Sequence, residues 1–186
     1  KKISHYFPAN PKRLGEVLRL AIMTGKYEDV ERYYSIFCSI DERNEDLIRY
    51  VCAALVVCGK YYLNTRLRSR ALELFQKAAA TGTGRVKTLK EIVQALLDAG
   101  LNKEAKAYLV KFPPETQTGD DYLIMRFQVL NSEGNRSLII DQGRILLTKG
   151  IVDVRLYTIM IQRSLESKLT AAAETLIHEA IKKFPN

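Results

Sequence analysis

The sequence predicts an all-α chain built from about five antiparallel helix hairpins. Three observations predict it. Apolar residues recur at intervals of three and four along nearly the whole chain, the spacing that gathers them on one helix face. Nowhere do apolar and polar residues alternate convincingly, as a half-buried strand requires. Glycines, prolines and short polar stretches interrupt the apolar segments at intervals that suit helix–turn–helix units.

The first hairpin is expected at about residues 11–40. Pro11 suits a helix's first turn, where its missing N–H would have no partner in any case. Leu14, Val17, Leu18 and Ala21 share one face of the first helix, and Val30, Tyr34 and Phe37 share one face of the second. The second hairpin spans about 45–80. Its first helix is expected to run past Gly59 through Tyr61, Tyr62 and Leu63, and Asn64 or Thr65 is expected to cap the helix that follows. Glu42, Glu45 and Asp46 read as acids that favour a helix N-terminus, not as a metal site or a catalytic pair. The third hairpin spans about 86–112. Pro113 and Pro114 close it, because proline cannot continue a helix interior. The fourth spans about 120–149, opening on an Asp120–Asp121 cap and ending at Gly150. The fifth spans about 153–185, between Asp153 and Pro185. No linker divides these segments, so residues 1–186 read as a single helical-repeat domain. The start at Lys1-Lys2-Ile3 without Met and the stop at Asn186 read as a piece cut from a longer protein.

Internal periodicity sharpens this reading. Ala71, Ala105, Ile139 and Ala173 are spaced by 34 residues, and Val30 precedes the series by 41. Gly25, Gly59, Gly100 and Gly134 stand where the turns are expected, with Lys168 in the fifth. Tyr34, Phe75 and Leu109 follow the small residue by four positions. In this pattern the chain resembles the tetratricopeptide repeat family, whose unit is a 34-residue antiparallel helix pair. The resemblance covers about Pro11 to Pro185. It departs from the pattern at Lys168, at Gly143 where a large residue is expected, and at the bulky Phe37, Phe112 and Leu146. The early aromatic of the first helix is replaced by Leu14, Ile48, Leu89 and Leu123, with Tyr157 the nearest match. Packing is accordingly expected to be weakened around Gly143. The resemblance implies a right-handed superhelical array, an α-solenoid, with a concave face lined by the first helix of each pair. It also implies that the groove residues include Lys12, Arg19, Arg49, Lys87, Lys90, Gln94, Gln128, Arg155 and Gln162. A Lys and Asn carboxylate clamp, known in some members, is not expected: Gly15 and Arg19 stand where it would begin, and only Lys87 matches.

Composition bounds the function. Of 186 residues, 47% are hydrophobic and 27% charged, and 29 Lys and Arg against 21 Asp and Glu give a net charge of +8. Such a balance favours acidic partners without choosing among protein, nucleic acid and anionic lipid. The longest apolar run, Val51 to Cys58, is bounded by Arg49 and Lys60 and is too short to span a membrane. No secretory signal is visible. Cys38, Cys52 and Cys58 are odd in number, lack CxxC spacing and lie in apolar helical segments. They read as reduced thiols packed as small hydrophobes, which points to a cytoplasmic protein.

No converging polar groups suggest catalysis, and no metal or cofactor is expected. His5 and His178 are the only histidines. Residues 82–87, GTGRVK, lack both the spacing and the preceding strand of a phosphate loop. A second basic cluster, Arg66, Arg68 and Arg70 with Lys60 and Lys77 nearby, suits phosphate or an acidic partner, or is ordinary solvated surface. The leading expectation is a non-catalytic protein–protein interaction scaffold or adaptor that takes an acidic or extended peptide in its groove. The alternatives are a basic helical-repeat module for RNA, and a regulatory or oligomerisation domain of a multidomain signalling protein. A homo-oligomer through an end hairpin fits the last, because an array exposes an apolar face at its end.

Overall fold

The structure is a computed structural model. It describes residues 11–40 and 44–185, the side chains of residues 11 and 12 excepted. Among the described residues there are ten α-helices and no strand. They are α1 (Pro11–Met23), α2 (Tyr27–Cys38), α3 (Glu45–Asn64), α4 (Arg68–Thr81), α5 (Val86–Asp98), α6 (Asn102–Leu109), α7 (Asp120–Ser132), α8 (Arg136–Thr148), α9 (Val154–Glu166) and α10 (Thr170–Lys183). A single 3-10 turn, Pro114–Thr116, follows α6. No helix of the described residues is long and apolar enough to cross a membrane.

The chain forms two compact units, residues 1–95 and 96–186, and the boundary falls inside α5. In the first unit α1 packs on α2 and α3, and α3 packs on α2 and α4. Its interior holds Leu18, Val30, Phe37, Leu47, Leu55, Leu74, Phe75 and Ile92, all essentially inaccessible to water. In the second unit α7 packs on α6, α8 and α9, α9 packs on α8 and α10, and Ile124, Phe127, Ile139, Leu146, Leu156, Tyr157 and Met160 form the interior.

The turns repeat one local geometry. Gly25, Gly100 and Gly134 have positive φ, at 69°, 70° and 87°, which glycine adopts without steric cost. In the second hairpin the equivalent residue is Arg66, with φ 62°, and in the fifth it is Lys168, with φ 58°. At four of the five turns the next N–H reaches back five residues. Lys26 donates to the Ala21 carbonyl, Leu67 to Tyr62, Leu101 to Leu96 and Leu169 to Ser164, at 2.8–2.9 Å. This satisfies carbonyls that the helix end would otherwise leave unpaired. Left-handed backbone costs an L-residue roughly 1 kcal/mol that glycine avoids. Arg66→Gly and Lys168→Gly are therefore each expected to stabilise the protein by about 0.5–1 kcal/mol, read as a higher urea midpoint at unchanged slope.

The second turn corrects one expectation. Gly59 is not at a turn; it lies inside α3, buried. The extra seven residues all enter α3, which has 20 residues where α1, α5, α7 and α9 have 13 each. Seven residues are close to two helical turns, so the helix lengthens without rotating its apolar face. The turn then falls at Arg66, and the turns at Arg66, Gly100, Gly134 and Lys168 are evenly spaced by 34.

Caps follow the sequence in part. The Asn44 side chain accepts from the Leu47 N–H at 2.7 Å, that of Asn135 from Leu138 at 3.1 Å, and that of Asp153 from Arg155 at 2.8 Å. Two expectations fail. Asn64 ends α3 and Thr65 is its C-cap, its hydroxyl donating back to the Tyr61 and Tyr62 carbonyls; the N-cap of α4 is Leu67, which makes no side-chain cap. Gly119 precedes α7, so Asp120 and Asp121 lie in its first turn, where the helix dipole favours them. Glu42 lies outside the described residues.

The 34-residue series marks the tightest positions. Val30, Ala71, Ala105, Ile139 and Ala173 all have no exposed surface. Packing is not weakened at Gly143. The Met160 side chain lies so close that a methyl group on Gly143 would fall 2.6 Å from Met160 Cγ. The fourth hairpin thus pairs a large residue, Ile139, with a glycine four residues on, and a methionine from α9 fills the space.

Cys52 and Cys58 are buried and Cys38 is exposed, which corrects the reading of all three as core residues. Burial raises both buried thiols, Cys58 to about 12, so neither ionises at neutral pH.

Candidate functional site: a cationic and aromatic surface in the first unit

Three of the expected groove residues lie in the second unit, and their polar groups are largely engaged. Arg155 grips Asp153 through both carboxylate oxygens, Nε at 2.9 Å and a terminal nitrogen at 2.7 Å. These hydrogen bonds lower the Asp153 carboxyl, with its backbone cap adding to the effect. Arg155 thus clamps the start of α9 and is not a free cation. Gln162 donates to Glu166 at 3.0 Å. Gln128 is half-buried on α7, and its Oε1 is buried without a hydrogen-bond partner.

The first unit is different. The side chain of Lys12 lies outside the described residues. Arg19 on α1 and Lys87 on α5 are exposed, and neither pairs with a carboxylate among the described residues. Lys90 and Gln94 follow Lys87 along α5 and are half-buried. Arg49 is exposed on α3. It pairs with Asp46 at 2.9 Å, but both side chains are more than half accessible, so the pair is weak and easily exchanged for a ligand's carboxylate.

Two contacts set these helices side by side. A methyl group on Gly15 would fall 3.3 Å from Tyr50 Cδ2, so the glycine gives the tyrosine ring room against α1. Arg19 is one turn along α1 from that contact, and Arg49 precedes the tyrosine, its guanidinium 5.6 Å from the ring centre. At the start of α5, Arg85 pairs with Glu45 at 2.5 Å and ties α5 to the first turn of α3.

Tyr50 was not among the expected site residues. It is 47% exposed, which is high for an aromatic ring. Its only signal in the sequence is its place beside Arg49.

The second basic cluster is divided. Arg70 donates to Glu31 from Nε at 2.8 Å and stacks on the Tyr62 ring at 4.4 Å, joining α4 to α2 and α3. Lys77 pairs with Glu73 at 2.6 Å. Arg66 is exposed at the turn, Arg68 is exposed on the first turn of α4, and Lys60 is exposed on α3. Arg70 is thus held in an internal pair, while the other three are at the surface. Nearby, the Tyr27 and Tyr61 rings stack at 4.1 Å, joining α3 to α2.

Among the described residues no group of three or more His, Cys, Asp and Glu side chains is placed to hold a metal. No known family model, curated protein or solved structure matches the chain.

Proposed function

We propose that this chain is a tetratricopeptide-like array of helix hairpins acting as a non-catalytic interaction module, and that it binds an acidic, extended peptide segment through the first unit. The observation that carries the reading is that Arg19, Arg49 and Lys87, on the first helices of three successive hairpins, are exposed with no strong internal carboxylate partner, and that the exposed Tyr50 ring lies beside Arg49. Support for the repeat comes from the evenly spaced left-handed turns and the fully buried residues 34 apart. Carboxylates of a bound segment would meet cations whose heads are already in water, so little desolvation opposes them. A cytoplasmic setting fits the reduced thiols.

Binding of a fluorescent Asp- and Glu-rich peptide, followed by anisotropy, tests this. Arg19→Glu and Lys87→Glu together are expected to weaken it at least ~10-fold, because each reversal replaces an attraction with a repulsion. Arg155→Gln, in the second unit, is expected to leave affinity within ~2-fold. Equal affinity in the doubly reversed protein refutes the site.

One observation favours a second reading. An exposed Tyr beside an Arg is a platform on which a nucleobase stacks. A single-stranded RNA probe that binds more tightly than the peptide, with a steep salt dependence and a loss of about 1–3 kcal/mol in Tyr50→Ala, would favour RNA.

A further inference from the structure

The second helices of neighbouring hairpins leave grooves between them, and one of these grooves differs from the others in its lining. Between α2 and α4 the lining is mainly polar, with Glu31, Arg32, Ser35 and Lys77. Between α8 and α10 it holds Arg144, Thr148, Thr175 and Glu179 among three apolar residues. Between α6 and α8, within the second unit, it is chiefly apolar. Val110 stands on the α6 side, Leu138 and Leu146 on the α8 side, and Leu123, Phe127 and Leu130 come from α7, which packs on both.

The length of α6 accounts for the opening. It has 8 residues, where α2, α4, α8 and α10 have 12, 14, 13 and 14. At 1.5 Å per residue it is about 6–9 Å shorter than they are. Val110 is its C-cap and is 76% exposed. The chain then turns away through Phe112, whose ring meets Tyr122 at 5.4 Å, and through Pro113 and Pro114. A short α6 covers less of α7, so Leu123 and Leu130 stay half-buried while Phe127 between them is 3% exposed. Both sides of the groove belong to this chain, so it is a formed site and not a bare end face.

Size and charge say what fits it. The groove holds about 470 Å³, within the range of small-molecule sites. Its apolar base runs from Leu123 to Leu130, seven residues or about 10 Å along α7. That suits an extended chain of about eight carbons, with bonds of roughly 1.5 Å. It is shorter than the three to four turns of an ordinary helix. Of the charged side chains that line the groove, Lys106 and Glu133 pair with each other at 2.5 Å. Arg126 is left over. It lies on α7 between Leu123 and Leu130, is exposed, and has no ion-pair partner among the described residues. The half-buried Gln142 adds an amide to the lining. One unpaired guanidinium beside apolar surface complements a single carboxylate on an aliphatic chain, which it can hold through two parallel hydrogen bonds. An uncharged chain leaves Arg126 unused, and a polyanion finds only one open cation there.

We propose that the groove between α6 and α8 binds an aliphatic monocarboxylate, its chain along Leu123, Phe127 and Leu130 and its carboxylate on Arg126. The proposal is independent of the peptide site, which lies in the other unit.

Titration of the isotope-labelled whole chain with hexanoate, octanoate and decanoate, each below its micelle concentration and followed by amide NMR shifts, tests it. Shifts are expected in α6, α7 and α8, with a dissociation constant of about 1 mM or lower for decanoate. Affinity is expected to rise about 2- to 4-fold for each added methylene, because each is taken out of water. 1-Octanol, which lacks the charge, is expected to bind at least ~5-fold more weakly than octanoate. Arg126→Gln is expected to bring octanoate down to the level of octanol and to leave octanol unchanged, whereas a merely structural arginine would alter both. Leu138→Glu is expected to weaken octanoate and octanol alike by at least ~10-fold, with an unchanged circular dichroism spectrum showing that it folds. Val110→Glu, at a more exposed position, makes the same test if Leu138→Glu does not fold. No shift in these helices at several-millimolar carboxylate overturns the proposal. Equal binding of octanol and octanoate, or octanoate binding indifferent to Arg126→Gln, overturns it as well. A groove that takes a peptide with apolar and acidic side chains but none of the three carboxylates belongs to another protein, and that too overturns it.

Discussion

Gly59→Ala is expected to destabilise the protein by about 2 kcal/mol, although a glycine-to-alanine change inside a helix ordinarily stabilises by roughly 1 kcal/mol. The sign reverses because of Phe75. A methyl group at position 59 would fall 2.7 Å from Phe75 Cδ1 and 2.9 Å from Cζ. The ring is wholly buried and rigid, so it has neither space nor a soft torsion with which to retreat. Phe75→Leu in the same protein is expected to return about 1 kcal/mol or more of the loss, giving a clear coupling in a double-mutant cycle from urea midpoints. Gly143→Ala is the control. There the methyl would meet the unbranched side chain of Met160, whose torsions can adjust where an aromatic ring's cannot, so the cost is expected to be smaller than at Gly59. Equal effects at the two glycines would show that helix propensity, and not the aromatic contact, governs Gly59.

Ala71→Leu is expected to cost about 3 kcal/mol, the upper part of the range for overfilling a packed interior. Ala71 has no exposed surface and lies on α4, which packs closely along α3. The equivalent Val30 and Ile139 show that the position itself does not demand a small residue. It demands one wherever the residue four places on is large. Ala71 is followed by Phe75, Ala105 by Leu109 and Ala173 by Ile177, whereas Ile139 is followed by Gly143. Val30 with Tyr34 is intermediate, and the Tyr34 ring is only half-buried. Adding volume at 71 while keeping Phe75 therefore has no outlet. Ala71→Leu with Phe75→Ala is expected to be less destabilised than the sum of its parts, measured by the same denaturation curves. Simple additivity would argue that the two positions do not share one volume.

The helices and their pairing were legible in the sequence because both depend on local rules. The intervals between apolar residues choose helix over strand, and the prolines, glycines and capping Asn44, Asn135 and Asp153 place most ends within a residue or two. Val30, Ala71, Ala105, Ile139 and Ala173, which the spacing singles out, are all buried. The long first helix of the second hairpin was legible too, since seven added residues are two turns and keep the apolar face inward.

The candidate site was less so. Arg19, Arg49 and Lys87 are exposed as expected, yet Arg155 looked the same in the sequence and is clamped on Asp153. Charge in a sequence says nothing of which carboxylate stands opposite; that is set by χ angles and by helices brought together in space. Tyr50 is hard to single out for the same reason, since its contact with Gly15 joins two helices.

By itself the sequence determined an all-α chain and, among the described residues, the ten helices and their approximate limits, because backbone hydrogen bonds and side-chain periodicity act over a few residues. Only the tertiary structure decided that Arg66 and not Gly59 makes the second turn, that Met160 fills the space at Gly143, and which cations remain open to a partner. Those outcomes depend on volumes and charges contributed by residues tens of positions apart, and no local pattern records them.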